Sequence, residues 1–469
     1  MKVLLIRPPN RRMIRTNVPD WVDTGTGLYP PLGLMYVAAA AAEAGHEVSL
    51  LDAEAEDLDA QGIEARVRQR RAEVVGVQTL TFTLIDALRT AAAIKNVDPA
   101  IHVCLGGPHV NLFPEETLNL KAVDSIVLGE GEIGFPALLD QLERGDKPSA
   151  APGIGFLDEG RPVLTAAPLL EDLDVLPKPE RTMLPYERYH SVLAKERPIT
   201  TMMSSRGCPC KCLFCDRPHL GKRFRSRSAG NIVDEMERCV ELGIREIVFY
   251  DDTFTINRRR VHEICDAVIA RGLEVGWDIR ARVDTVDEEC LRKLKRAGCR
   301  RIHFGIESGN PEILKVLRKG IDLEAALDVF RAARRAGITT LAYFMIGNPT
   351  ETAEQIEETF RYAVKFNPDY AHIAVTTPFP GTDLHRLGLE NGLYEKDHWR
   401  EFAARPEEDF VPPLWTENFT RDELIEMLNK GYRKFYMRPR FLIRKVFDVR
   451  SPSELWRKAK LGLRMAVSR

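Results

Sequence analysis

Four cysteines fall within eight residues of the stretch "SSRGCPCKCLFCDRP": Cys208, Cys210, Cys212 and Cys215. Thiols this close can hold zinc, form a redox couple or ligate an iron–sulfur cluster. A structural zinc site takes four ligands, normally as two short pairs separated by a loop. The remaining cysteines (Cys104, Cys239, Cys265, Cys290 and Cys299) provide no second pair. Cys212 and Cys215 make a CxxC couple, but the surrounding pattern is not that of a small redox fold. A 4Fe–4S cluster that only carries electrons takes a thiolate on each iron. Cys208-x3-Cys212-x2-Cys215 supplies three and leaves one iron open to a further ligand, which suits the stretch best.

The elements that must position these thiols alternate regularly. Six strand patterns, "ITTMMSS", "EIVFYDD", "VGWDIRAR", "RIHFGIES", "TTLAYFMIG" and "AHIAVTTPFP", are separated by helical stretches such as "AGNIVDEMERCVELG" and "LEAALDVFRAARRAG". Six βα units in series predict a partial (βα)6 TIM-type barrel over residues 198–395, with chemistry at its carboxyl-end loops. The cysteine stretch follows the first of these strands directly. Ahead of it, "KVLLIRPP", "EVSLLDAE", "EVVGVQTL", "IHVCLGGP" and "VDSIVLGE" are short apolar runs of the type buried on both faces of a parallel sheet. They predict a flavodoxin-like doubly wound α/β domain over residues 1–146, with ligands at the carboxyl ends of its strands. Residues 147–197, rich in proline and poor in periodicity, read as a surface linker. Residues 396–469 show helical segments only.

Composition bounds the function classes. The 469 residues are 44% hydrophobic and 29% charged with a net charge of −2, which fits a soluble globular protein and argues against a nucleic-acid binder. The apolar run at the start is too short for a signal peptide, and no window approaches a membrane span. Unpaired cysteines then point to a reducing, cytoplasmic setting. From Gly431 to the end the chain carries twelve Lys/Arg against two Asp/Glu. Its stretch "RKFYMRPRFLIRKVF" interleaves aromatics with basic residues. The plain reading is a helix docked on the barrel, and the sharper one is peripheral membrane association through this basic C-terminus.

CxxxCxxC after the first barrel strand, with Phe214 just before the last cysteine, resembles the radical S-adenosylmethionine (SAM) superfamily. The resemblance implies that Cys208, Cys212 and Cys215 hold a 4Fe–4S cluster whose open iron chelates SAM, and that Cys210 is the spare. It further implies SAM contacts at the later strand ends: Asp251 and Asp252 after the second, Arg280 (with Arg282 beside it) on the third, Glu307 and Ser308 on the fourth, Gly347 and Glu351 after the fifth. Taken singly, these have plainer readings as helix caps or ion-pair partners.

A flavodoxin-like domain ahead of such a barrel resembles the cobalamin-binding subgroup of that superfamily. The residues that carry this are Thr79 and Leu80 in "GVQTLTFT", Gly106, Gly107, Pro108 and His109 in "LGGPHVNLFPEE", and Gly129, Glu130, Gly131 and Glu132 in "LGEGE". Small residues at strand ends admit a flat corrin, while backbone N–H groups suit its nucleotide tail. The Asp-x-His-x-x-Gly motif that supplies a lower axial histidine in many cobalamin proteins is absent, so binding without histidine ligation is expected. His109 reads first as a hydrogen-bond donor.

The resemblance implies reductive SAM cleavage to a 5′-deoxyadenosyl radical and methyl transfer from cobalamin to an unactivated carbon. The substrate is a small molecule, of lipid-like or tetrapyrrole character, and electrons come from a donor such as a flavodoxin or ferredoxin. The alternatives are oxidative cyclisation or other C–C bond formation with the same cofactors, and a non-catalytic cobalamin or redox sensor. A tRNA methylthiotransferase is disfavoured, since neither its extra N-terminal cysteines nor an RNA-binding module is evident.

Overall fold

Lys2–Arg7 (β1) begins a parallel sheet because its apolar run "VLLI" has neighbours on both faces and both edges. In the computed structural model, which describes residues 1–15, 27–216, 221–439 and 441–443, Val3 to Ile6 are all buried. The sheet continues with β2 (Glu47–Asp52), β3 (Val74–Gln78), β4 (His102–Gly106) and β5 (Ser125–Val127) in the order β2-β1-β3-β4-β5. β1 pairs on one side with β2 and on the other with β3, Val3 lying opposite Val48 and Val74. This reversal of winding between β1 and β3 opens a crevice at the strands' carboxyl ends, as doubly wound folds require. The long connecting helices are α1 (Leu32–Glu43), α2 (Ala60–Arg70) and α3 (Leu84–Val97); after the short α4 (Pro108–Leu112) and α5 (Pro114–Leu118) comes α6 (Gly131–Arg144). α1 and α6 cover one face around Leu5, Met35, Phe135 and Leu138, and α2 and α3 the other around Ile6, Val67, Val77 and Ile94.

The linker expected over residues 147–197 does more than connect. β6 (Ile154–Asp158) and β7 (Arg161–Leu164) form a hairpin that adds antiparallel to β5, making a seven-stranded sheet. Leu173, Leu184 and Tyr189 within the same stretch are buried. Strands of five and four residues leave too short an alternation to stand out, and Pro162 is tolerated because β7 is an edge strand.

The second sheet is parallel throughout, in sequence order: β8 (Ile199–Met202), β9 (Glu246–Phe249), β10 (Gly276–Ala281), β11 (Cys299–Glu307), β12 (Thr339–Ile346) and β13 (Tyr370–Val375). β13 does not pair back to β8, so the barrel is open, as expected of six strands. Helices α7 (Ala229–Glu241), α8 (Arg258–Ala270), α9 (Glu288–Arg296), α10 (Pro311–Val316), α11 (Leu323–Arg335) and α12 (Ala353–Phe366) follow in turn. Outward side chains such as Trp277, Ile279, Phe304 and Phe344 pack under these helices.

Beyond the barrel lie α13 (Asp383–Glu390), α14 (His398–Ala404) and α15 (Arg421–Tyr436), the last started by a Thr420/Glu423 capping box. α15 covers the free edge of β13. The Tyr432 hydroxyl accepts from Ile373 N at 3.1 Å and donates to Ile373 O at 2.9 Å, and Tyr436 serves Ala371 in the same way. Phe435 and Phe441 sit in the barrel core, the docked-helix reading of the basic stretch. The rest of that stretch beyond residue 443, and the helical segment expected from "SELWRKAKLGLRMA" at 453–466, lie outside the described residues. No described helix is long and apolar enough to cross a membrane.

Candidate functional site

The cysteine loop leaves β8 and is tied down at both ends. Ser205 and Arg206 pair antiparallel with Arg225 and Ser226, closing the excursion at its base. Inside it, Leu213 N donates to Leu317 O at 3.0 Å, and Leu213 O accepts from Leu384 N at 2.9 Å. Leu213 and Phe214 pack with Leu384 and Trp415, so Phe214 serves as an anchor, with Lys319 Nζ 5.8 Å from its ring. Cys208 and Cys212 are buried, Cys210 is half-buried and Cys215 is exposed. Cys208 Sγ lies 4.0 Å from Thr253 Oγ1, and Arg282 Nη1 lies 3.9 Å from Cys212 Sγ. A hydrogen bond from the Cys210 thiol is the main cause that brings the Cys208 thiol down to about 6 and pushes Cys210 up. Among the described residues, no three His, Cys, Asp or Glu side chains already stand in a metal-holding arrangement. Even so, the donor set fits an iron–sulfur cluster: three thiols on one anchored loop, with a guanidinium beside one of them to offset thiolate charge.

Several residues expected to touch SAM have other partners. Asp251 is fully buried and accepts from Ser204 N at 2.7 Å and from both the Ser204 and Ser205 hydroxyls, with Arg260 at 3.8 Å. It latches the start of the cysteine loop, whereas Asp252 is exposed. Ser308 is buried, its hydroxyl accepting from Asn310 N at the start of α10 and contacting Thr359. Gly347 has φ +72, and a Cβ there would come 2.6 Å from Leu424 of α15, so the small residue makes room for that helix. Glu351 is buried in the same turn, accepting from Asn348 N at 2.9 Å and Asn348 Nδ2 at 3.0 Å, and burial pushes its carboxyl up to about 7. Asp251, Ser308 and Glu351 thus each have hydrogen-bond partners within the protein.

Glu307 remains near the thiols. It ends β11 with φ +73 and forms a buried ion pair with Lys319 at 2.8 Å. That pair lies over Gly305, where a Cβ would fall 2.4 Å from Glu307 Oε1. Lys319 O also accepts from Arg282 Nη2 at 2.8 Å, which joins the pair to the guanidinium beside Cys212. Arg280, two residues earlier and on β10, stacks 4.9 Å from the Tyr250 ring centroid.

At the carboxyl ends of the first sheet lies a cavity of about 570 Å³. Leu80, Gly106, Gly107, Pro108 and the Gly129–Glu132 turn line it from the first sheet, and Met203, Arg206 and Tyr250 from the barrel side. Thr79 and His109 do not line it. Thr79 is buried, its hydroxyl donating to Val77 O, and His109 is buried behind the strand ends with Nδ1 3.1 Å from Thr81 Oγ1. Burial holds the imidazole neutral, down at about 3. Among the described residues lining the cavity there is no histidine. Gly107 has φ +126, and a Cβ there would fall 2.7 Å from Thr79 O, so the turn is closed to a side chain. The glycine-lined mouth fits a flat ligand such as a corrin.

Charged groups join the two halves at this cavity. Glu130 accepts from Arg206 Nη1 at 2.9 Å and from both terminal nitrogens of Arg225 at 3.0 Å, and Glu132 binds the other nitrogen of Arg206. Burial alone would raise the Glu130 carboxyl, but Arg225 and Arg206 together hold it below the usual carboxylate range. Arg206 also lies over the Tyr36 ring, 5.6 Å from its centroid. Neither Arg206 nor Arg225 stands out in the sequence, although Arg206 lies inside the cysteine stretch. An isolated arginine has no spacing signature, and both its partners are some 75–95 positions away.

A model of the radical SAM superfamily matches residues 202–363, and a model of the B12 binding domain matches residues 20–139. An uncharacterized methyltransferase of Pyrococcus horikoshii is 35% identical over 452 residues, covering 96% of this chain and 95% of its own. The anaerobic magnesium-protoporphyrin IX monomethyl ester cyclase of Rubrivivax gelatinosus is 30% identical over 429 residues, covering 89% of this chain and 75% of its own. Among solved structures, the cobalamin-dependent SAM radical enzyme OxsB shares the fold with a TM-score of 0.73 at 17% identity, over 99% of this chain and 70% of its own. The radical SAM methyltransferase TsrM from Kitasatospora setae does so with a TM-score of 0.68 at 20% identity, over 83% and 76%.

Proposed function

This chain belongs to the radical SAM superfamily and carries a B12 binding domain, and on that premise we propose that it is a cobalamin-dependent methyltransferase acting on an unactivated carbon of a small molecule. One observation carries the reading: the cavity of the first sheet and the cysteine loop share a wall. Arg206 lines that cavity beside Gly107 and Glu130, and Cys208 follows it by two residues.

In this proposal Cys208, Cys212 and Cys215 would hold a 4Fe–4S cluster, and SAM would bind beside it. Leu80, Gly106, Gly107, Pro108, Gly129 and Gly131 bed the cobalamin. When bound, these groups supply a 5′-deoxyadenosyl radical and a transferable methyl group, and the chain contributes their placement. Arg282 keeps positive charge beside Cys212, where thiolate charge gathers, and is better placed than Arg280 to meet the SAM carboxylate. The Glu307–Lys319 pair fixes Arg282 from behind through Lys319 O. Leu80, Pro108 and Met203 give the cavity apolar walls that exclude water from the reacting groups. Cys215, the exposed ligand, marks where an electron donor of flavodoxin or ferredoxin type would approach.

The test needs no substrate. Anaerobically purified protein, loaded with iron, sulfide and cobalamin and reduced, is given SAM deuterated in its methyl group. A methyltransferase transfers the label to the protein-bound cobalamin and releases S-adenosylhomocysteine. Deoxyadenosine without label in cobalamin would instead favour oxidative cyclisation, the reading supported by the 30% identity to the Rubrivivax cyclase. Neither product would leave a non-catalytic sensor.

A further inference from the structure

The inner face of the barrel is not a packed core. Along β10 to β13 the outward residues Ile279, Phe304, Phe344 and Ile373 are fully buried, whereas the inward Arg280, His303, Tyr343 and His372 keep partial exposure. In a closed TIM barrel the inward layers fill with branched apolar side chains. Here they are polar and reached by solvent.

The layers differ in charge. The lowest is neutralised: Arg301 Nε donates to Asp278 at 3.1 Å, and Glu246 accepts from Arg300 at 2.7 Å. One layer up, the strand register sets Arg280 opposite His303. His303 Nδ1 lies 2.9 Å from the Tyr343 hydroxyl and its Nε2 3.6 Å from Asp278, so the imidazole is held between two fixed partners. Arg280 differs from every other charge in this lumen. Its guanidinium donates to a backbone carbonyl, Phe249 O at 3.4 Å, it stacks on Tyr250, and no carboxylate among the described residues pairs with it. Tyr29, 6.3 Å from Tyr250 ring to ring, reaches the same space from the strap ahead of α1 and also lines the cobalamin cavity.

We infer that Arg280 is the anion-holding group of a substrate site in the barrel lumen, and that the substrate is a small molecule with a carboxylate or phosphate on a flat body. A guanidinium without a carboxylate, held against a ring, is suited to meet an oxyanion with two parallel N–H bonds. The rings of Tyr29, Tyr250 and Tyr343 suit a flat body. The position is also apt. Arg282, two residues on and just past the end of β10, lies 3.9 Å from Cys212 Sγ, and two extended residues span roughly 7 Å. An anion on Arg280 therefore sits one small molecule's length from the cluster loop and opens on the cobalamin cavity. The inference rests on the proposed function for its geometry, and it moves Arg280 from the SAM site, where the sequence resemblance put it, to the substrate.

The test is calorimetric titration of the anaerobic holoenzyme, loaded with cluster, cobalamin and SAM, with benzoate, phenyl phosphate and benzyl alcohol. One of the two anions should bind at least about tenfold more tightly than the neutral alcohol, and which one decides between carboxylate and phosphate. Arg280→Gln should lose about tenfold of that affinity and Arg280→Lys less, while SAM affinity of Arg280→Gln stays within about twofold of wild type. Retained SAM binding also shows that the variant is folded. Anions binding no better than benzyl alcohol would overturn the inference, as would a tenfold loss of SAM affinity in Arg280→Gln. Absence of both deoxyadenosine and labelled cobalamin in wild type would fell the proposed function and leave the anion titration standing.

Discussion

Arg206 donates to Glu130 at 2.9 Å across the boundary between the two sheets, both side chains buried, and Arg225 closes on the same carboxylate. Two facing surfaces of a hinge could slide, but one carboxylate shared by two buried guanidiniums fixes them in a single register. Glu130→Ala removes the carboxylate that the two buried guanidiniums share, leaving Arg206 with Glu132 and Arg225 with the Leu170 carbonyl, and breaking a buried pair costs up to roughly 3–5 kcal/mol. The melting temperature of the purified protein should fall clearly, cobalamin affinity should fall with it, and Glu130→Gln should lose less. An unchanged melting temperature in Glu130→Ala would show that the pair does not join the halves.

Cys208→Ala, Cys212→Ala and Cys215→Ala should each abolish iron uptake after anaerobic reconstitution. Cys210→Ala should retain most of it. The Cys210 thiol donates to Cys208, so its loss removes one hydrogen bond from a future ligand without removing a ligand. Iron and sulfide content of the four variants decides this, and loss of iron in Cys210→Ala equal to the others would make it a fourth ligand.

Glu351 should make stability fall with rising pH. Burial holds its folded carboxyl near 7 against 4.5 for the ordinary group, and its Oε1 has no hydrogen-bond partner among the described residues. Below about pH 4.5 the group is protonated in both states, and between there and about 7 only the folded chain keeps the proton. The folded state therefore loses stability across that window, on the order of 2–3 kcal/mol, and is level above it. Glu351→Gln should flatten the slope between pH 5.5 and pH 7.5 in about that measure, read from denaturant midpoints. A slope identical in wild type and variant would assign the pH dependence elsewhere.

Tyr432→Phe should destabilise by about 1–3 kcal/mol, because Ile373 N and O lose their partner on a buried sheet edge. Tyr432→Phe/Tyr436→Phe should cost more and expose the edge of β13. Denaturant midpoints measure the first effect, and light scattering on heating the second, since bare edges recruit other chains.

The strands were legible because parallel sheets need unbroken apolar runs, and "VLLI" or "EIVF" admits little else. β6 and β7 were not, since five and four residues with a proline give no period to read. The thiols were legible from spacing alone, a local property. Asp251, Ser308, Gly347 and Glu351 lie at strand ends, where ligand contact and turn closure call for the same residue types. Their partners in the fold, Ser204, Asn310, Leu424 and Asn348 respectively, are visible only once the chain is folded. Arg206, Arg225 and Lys319 act through residues distant in sequence, or through folded geometry that no motif encodes.

The cysteine loop is stapled at its base by the Ser205–Arg206 and Arg225–Ser226 ladder, latched by Asp251, and pinned midway through Leu213. Every one of those fastenings is polypeptide to polypeptide. Those fastenings should hold the loop's backbone near its place whether or not iron and sulfide are bound, leaving the thiols to close on the cluster. Oxidative damage to the metallocentre should then be repairable in place, without the chain passing through denaturation.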